Sequence, residues 1–235
     1  MFRKSFYVSL VFAVAISFSL AFAGAMKGDE AFTKLQDGNK RFVSGSLSQK
    51  DIGDSRRKEL SKGQSPAAIV VACSDSRVSP ELIFDQGLGD VFVVRVAGNV
   101  LDPISLGSIE YAAEHLHTPL LIILGHEKCG AVSAAVDAKG KPEGNIGAII
   151  KKILPAVKKA QAKGGPKDEV LDNAIKTNAL MQNHAISKSP ILKHLIGAGE
   201  LKVVTAMYRL GSGQVEILKA ETTALAGMEH KHGHH

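Results

Sequence analysis

Five residues of this sequence have types and spacings that could do chemistry together. Cys73 opens the stretch C-S-D-S-R, which also carries Asp75 and Arg77, while His126 and Cys129 frame the stretch H-E-K-C. These two cysteines are the only ones in the chain. Thiolate and imidazole both suit zinc, and three such ligands would leave a fourth tetrahedral position open, as catalytic zinc sites do. A carboxylate beside such an ion can orient a bound water by accepting its hydrogen, and an arginine can hold that carboxylate in a fixed bidentate pose. The same carboxylate could also swing onto the ion and close the site. Taken singly, each part has a plainer reading. H-x-x-C is a weak signal, Asp75 with Arg77 could be a loop ion pair of little worth, and two cysteines can form a disulfide.

The elements needed to bring these residues together are legible around them. Short, continuously apolar runs at 67–72 and 120–124, and largely apolar ones at 91–96 and 201–207, predict strands buried on both faces. Helix-like segments separate them, around Pro80 to Phe84, Pro103 to His115, Gly130 to Ala138, and in a long tract from Asn145 to about Leu195. Such alternation predicts an α/β fold with a mostly parallel β-sheet flanked by helices. Tyr208 to Gly213, followed by Gln214 to Leu218, reads as a turn into an antiparallel edge strand near the C-terminus. Ahead of the sheet, Phe32, Leu35, Phe42 and Val43 recur on a helical period and predict an amphipathic helix over Asp29 to Val43. The polar stretch from Ser44 to Gln64 carries no such period. In an open α/β sheet the site lies outside the carboxyl ends of the strands. Cys73 leaves the first strand there and His126 leaves the third, so neighbouring parallel strands would bring the two loops together.

The N-terminus bears on the cysteines. Arg3 and Lys4 precede an apolar run from Phe6 to Phe22, which ends in Ala21-Phe22-Ala23 and Ala23-Gly24-Ala25. That is the layout of a secretory signal peptide. Its apolar run, about 17 residues, is at the lower limit for spanning a bilayer. The expected organisation is a signal peptide over 1–23, one α/β domain over 24–228, and a polar tail over 229–235 with His230, His232, His234 and His235. A periplasmic or secreted location follows, with no stable membrane insertion after cleavage. Export is also what favours a disulfide for an isolated cysteine pair. The formal charge of +6 is spread along the chain. No focused basic patch or recognition module accompanies it, which argues against nucleic-acid binding.

In combination the motifs are specific. C-S-D-S-R-V after one buried run, F-V-V-R-V-A-G-N after the next and G-H-E-K-C-G-A-V after the third resemble the β-class carbonic anhydrases. The resemblance extends over nearly all of the chain beyond the signal-like segment. It implies one zinc per subunit on Cys73, His126 and Cys129, with Asp75 and Arg77 as a catalytic pair. By the same resemblance, Gln64 in K-G-Q-S-P matches the substrate-binding glutamine of the plant-type branch, Phe92 and Tyr111 match pocket aromatics, and the Gly130 N–H would contact substrate. The implied reaction is reversible hydration of CO2 to bicarbonate and a proton by zinc-bound hydroxide, in a homodimer or higher homo-oligomer with clefts at the interface. Cys73 and Cys129 would then be ligands and not a bridge. Val96 stands where an asparagine is frequent in the family, and the absence of Trp argues against bicarbonate control at a tryptophan-based second site. Two other functions fit the same residues: a zinc hydrolase acting on carbon disulfide or carbonyl sulfide, and a noncatalytic zinc-binding protein.

Overall fold

A computed structural model describes residues 26–140 and 144–218; the signal-like segment and the His-rich tail lie outside the described residues. Five strands form one sheet in the order β2-β1-β3-β4-β5. β1 (Ala68–Ala72) pairs parallel with β2 (Val91–Arg95) and with β3 (Leu120–His126), and β3 pairs parallel with β4 (Lys202–Tyr208). β5 (Val215–Ile217) closes the far edge antiparallel to β4, as expected from the sequence. The central strands AIVVA and LLIILGH are buried along their whole length. That is why they read as unbroken apolar runs and not as alternation.

Alternate residues of each strand serve opposite layers. Ala68, Val70, Ala72, Leu120, Ile122 and Leu124 pack against Ala31 and Leu35 of helix α1 (Gly28–Val43) and against Ile83 and Phe84 at the end of α3 (Pro80–Ile83). Ile69, Val71, Leu121 and Ile123 face α4 (Pro103–Glu114), α7 (Lys167–Ile186) and α8 (Pro190–Gly197). A third apolar cluster caps the carboxyl ends of the strands: Val132 of α5 (Gly130–Val136), Ile150, Ile153 and Val157 of α6 (Ile146–Lys163), Ile175 of α7, and Met207 enclose Cys73 and Cys129.

The tract from Asn145 to Leu195 is three helices, α6, α7 and α8. The breaks fall at Gly164-Gly165-Pro166, where both glycines take positive φ, and at Ser189-Pro190, where the Ser189 side chain caps α8 through Leu192 N–H. Pro155 lies inside α6 and does not end it. The stretch after α1 also holds a helix, α2 (Asp54–Leu60), which buries none of its residues and therefore gives no apolar period to read.

α1 is drawn against the end of α3 closely enough that a Cβ at Gly38 would stand 1.8 Å from the Phe84 carbonyl oxygen. Beside it, buried Asp85 sits in the left-handed region at φ 49°. Its carboxylate accepts from Arg41 Nε at 2.5 Å and from Lys50 Nζ at 2.6 Å. Burial pushes its pKa up, but Lys50, Arg41 and Ser48 outweigh that and hold it well below the usual carboxylate range. The folded value thus lies below the unfolded one of about 3.9, so this contribution is present above that pH and lost as pH falls. Asp85→Asn, which tolerates the backbone angle, is expected to cost about 3–5 kcal/mol near neutral pH. Urea unfolding should also show its deficit shrinking as the medium is acidified.

Candidate metal centre

β1 ends at Ala72 and delivers Cys73 to the carboxyl end of the sheet, and β3 ends at His126 beside it. The chain then turns through Lys128, at φ 50°, into Cys129, which precedes the first residue of α5. The ligand atoms of Cys73, His126 and Cys129 all lie within 4.8 Å of one another, and all three residues are buried. Both cysteines are free thiols.

His126 tests whether this cluster fits a metal. Its Nδ1 meets the Glu127 carbonyl oxygen at 2.8 Å, a contact only a protonated Nδ1 can satisfy as donor. The lone pair is then on Nε2, which is fully buried and has no hydrogen-bond partner. An orphaned acceptor at such depth is costly unless something else occupies it. With two sulfurs alongside, the donor set is that of a three-ligand zinc site. The adjacent Cys129 thiol and the Gly98 N–H, which donates to Cys73 Sγ at 3.1 Å, draw the Cys73 pKa down. Cys129 is pushed up by Cys73 and by burial.

Asp75 lies at the rim, its Oδ2 3.8 Å from His126 Nε2. Arg77 grips both carboxylate oxygens, Nε to Oδ1 at 2.9 Å and Nη2 to Oδ2 at 2.7 Å, and its backbone N–H reaches Oδ1 at 3.0 Å. The Arg77 hydrogen bonds hold the Asp75 carboxyl far below the usual range. Gly130 is the first residue of α5 and is exposed, so its N–H has no acceptor within the helix.

A sequence profile of the carbonic anhydrase family matches residues 68–215, from the first strand to the last. This chain belongs to that family. It is 39% identical over 194 residues to the carbonic anhydrase of Mycolicibacterium smegmatis, covering 80% of this chain and 91% of that protein. Carbonic anhydrase 2 of Mycobacterium tuberculosis is also 39% identical, over 189 residues, covering 78% of this chain and 89% of that one. Among solved structures, a Coccomyxa β-carbonic anhydrase in complex with acetazolamide is 30% identical with a TM-score of 0.66, over 70% of this chain and 78% of that one. The β-class fold expected from the motifs is the fold found.

The carbonic anhydrase motif residues Cys73, Asp75, Arg77, His126, Cys129 and Gly130 are brought together at one end of the sheet. The other three named residues are not. Gln64 is exposed in a hollow with Leu60, Leu88 and Gly89, at the amino end of β1. Cys73 is at the other end of that strand, which alone spans about 16 Å at about 3.3 Å per residue. Phe92 is the second residue of β2 and pairs with Ile69; its ring centroid is 6.5 Å from that of half-exposed Tyr111, which also contacts His115 at 5.5 Å. Gln64, Phe92 and Tyr111 thus belong to the outer margin of the subunit beside β2.

Several residues that shape the centre had not been singled out. Arg95 Nε donates to the Cys73 carbonyl at 2.9 Å and Nη2 to the Asp75 carbonyl at 2.7 Å, fixing the backbone of the first motif. Its signal in the sequence is a charge ending an otherwise apolar strand. Gly98, at φ 68°, brings its N–H to Cys73, and a Cβ there would stand 2.7 Å from Ile153. Asn178 donates to the Gly98 carbonyl at 2.8 Å, and Gln182 accepts from Leu101 N–H at 3.0 Å. Both are buried polar residues one turn apart on the core face of α7.

Proposed function

We propose that this chain is a zinc-dependent carbonic anhydrase of the β-class, interconverting CO2 with bicarbonate and a proton. The observation that carries the reading is the buried, unpartnered His126 Nε2 facing two thiols beside an arginine-clamped carboxylate. Cys73, His126 and Cys129 would hold the ion, which when bound supplies a nucleophile at neutral pH by lowering the pKa of water from about 15.7 to about 7. The Glu127 carbonyl keeps His126 in the tautomer that ligates. Arg77 fixes Asp75 so that its free lone pairs face the cluster, where they can accept a hydrogen and orient the attacking oxygen. The Gly130 N–H, unpaired within its helix, would steady negative charge developing on the substrate oxygen, as the family resemblance implies.

Gln64, Phe92 and Tyr111 fit a role across a subunit boundary. Among the described residues nothing pairs with the outer edge of β2. Around it Leu82, Leu88, Ile104 and Tyr111 are exposed, Ile104 to 82%. An open strand edge with apolar flanks is a surface natural proteins cover, and we assign it to a second copy of this chain. Gln64 and Tyr111 would then serve the partner's site. The N-terminal layout supports export to the periplasm or beyond. Protein recovered from the periplasmic fraction should lack residues 1–23 or 1–25 by intact mass and should scatter light as a dimer or larger. A monomer at micromolar concentration would remove the shared-site reading.

Stopped-flow CO2 hydration by the zinc-loaded protein tests the activity itself, with acetazolamide as an inhibitor probe. A rate no faster than buffer, with sulfide released from carbon disulfide or carbonyl sulfide, would transfer the assignment to that hydrolase reaction. Deleting residues 229–235 should leave hydration intact, whereas loss of activity on deletion would give the His-rich tail a part in the site.

A further inference from the structure

The two residues between His126 and Cys129 are unusually well anchored. Lys128 offers its carbonyl to Arg77 Nη2 at 3.3 Å. Glu127 is held at three other points. Its N–H donates to the Tyr208 carbonyl at 3.1 Å. One carboxylate oxygen accepts from Leu210 N–H at 2.9 Å, and the other accepts from Arg209 Nη1 at 3.2 Å. Its own carbonyl is the group that receives His126 Nδ1–H. Arg209 in turn is not free to follow Glu127. Its Nε and Nη2 both donate to Glu216 of β5, at 2.9 and 2.7 Å, and Nη1 lies 3.5 Å from Asp172 of α7.

An ion pair between Arg209 and Glu127 as a mere surface bridge would be worth little. These side chains, however, are only 22% and 29% exposed, and they converge on a single peptide. That peptide decides which way the His126 ring faces. Rotating the Glu127 carbonyl away would free Nδ1 and allow the proton to move to Nε2, turning an acceptor into a donor. We propose that Glu127 and Arg209 are positioning residues for His126. By clamping the Glu127 peptide to the β4–β5 turn, they keep the imidazole in its Nδ1–H tautomer with Nε2 presented to the two sulfurs. The proposal rests on the reading that the cluster binds zinc, and it adds to the site two residues that do not touch the ion.

The test compares wild type, Glu127→Ala, Arg209→Ala, the double variant and Glu127→Gln, which keeps an oxygen for Leu210 N–H. Zinc affinity is measured by competition with a chromophoric chelator, and the imidazole tautomer of the metal-free protein by 15N NMR. Asp85→Asn serves as a control that loses stability far from the cluster. Expected are about tenfold or greater losses of zinc affinity in Glu127→Ala and Arg209→Ala. The double variant should be little worse than either single one, Glu127→Gln should lose less, and the Nε2–H form should rise in the Ala variants. Asp85→Asn should bind zinc as wild type does. Folded Ala variants with affinity within about twofold of wild type and an unchanged tautomer would overturn the proposal. Wild type binding no zinc would instead overturn the functional reading, and the tautomer signal alone would then decide the role of Glu127.

Discussion

Cys73→Ser is expected to give a folded protein that retains almost no zinc and hydrates CO2 no faster than buffer. Zinc takes the thiolate, and a serine hydroxyl keeps its proton at neutral pH. The position is set up for an anion: Cys73 is 4% exposed, the Gly98 N–H points at its sulfur, and its pKa is pulled down by Cys129 and that N–H. Loss of groups that merely support a ligand costs about 10–100-fold in metal affinity, so loss of the ligand itself should exceed that. Serine is smaller and fits the same space, which keeps the fold as a control by circular dichroism. Metal analysis after gel filtration and stopped-flow hydration read the result. Full zinc content in the variant would refute the ligand assignment. The same logic covers the wild type stripped of metal. Its two thiols lie within 4.8 Å of one another, so thiol titration in air should count two in the zinc-loaded protein and progressively fewer in the stripped one. A bridge is therefore the fate expected of the empty site, not of the working one.

The parts of this molecule that could be read from the sequence are those whose signal is local. β1 and β3 are wholly buried and so read as apolar runs, which puts Cys73 and His126 at adjacent strand ends. The antiparallel β5 was announced by its turn. α2 was illegible because it buries nothing and its ties run outward, as from Arg56 to the Leu88 carbonyl. The division of α6 from α7 and α8 was written in Gly164-Gly165-Pro166 and Ser189-Pro190, but helix-compatible residues on both sides masked it. At the site, motif spacing found the residues that would touch the ion or the substrate, since those lie in two short motifs, at 73–77 and 126–130. It did not find Arg95, Asn178, Gln182 or Arg209. The first three act through a backbone carbonyl or amide, and Arg209 through the Glu127 carboxylate, in each case distant in sequence, and such a contact leaves no pattern along the chain. Nor could it tell that Gln64 stands a strand's length from the cluster, because a motif gives order along the chain and not which end of the sheet a loop occupies.

Asp75→Asn should separate the metal from the chemistry. The substitution preserves volume and leaves Cys73, His126 and Cys129 in place, so zinc content is expected to match wild type. Turnover should fall by about 100-fold or more, the usual scale for losing a positioned acceptor of a proton. The reason lies in the geometry of the Arg77 clamp. Arg77 donates from Nε to Oδ1 and from Nη2 to Oδ2, and its N–H also reaches Oδ1. An asparagine can present one oxygen to this fork. Its NH2 must then either meet a guanidinium N–H donor to donor or turn the oxygen away from the Arg77 main chain. The first is favoured because it keeps the oxygen on two of the three Arg77 donors, and it places hydrogens where Oδ2 of Asp75 offered lone pairs, 3.8 Å from His126 Nε2. A donor there cannot accept the hydrogen that orients the nucleophile. Arg77→Ala reaches the same loss by another route, since it releases a carboxylate that Arg95 holds only through its backbone carbonyl. The released side chain is then able to turn onto the cluster. The two variants should therefore differ in one respect: added anions that bind zinc should compete with Asp75 in Arg77→Ala and meet no such competitor in Asp75→Asn. Measuring zinc content, kcat and anion affinity on both variants checks the scheme. Near-wild-type turnover in Asp75→Asn would show that the carboxylate is a structural tie and that the orienting acceptor is elsewhere.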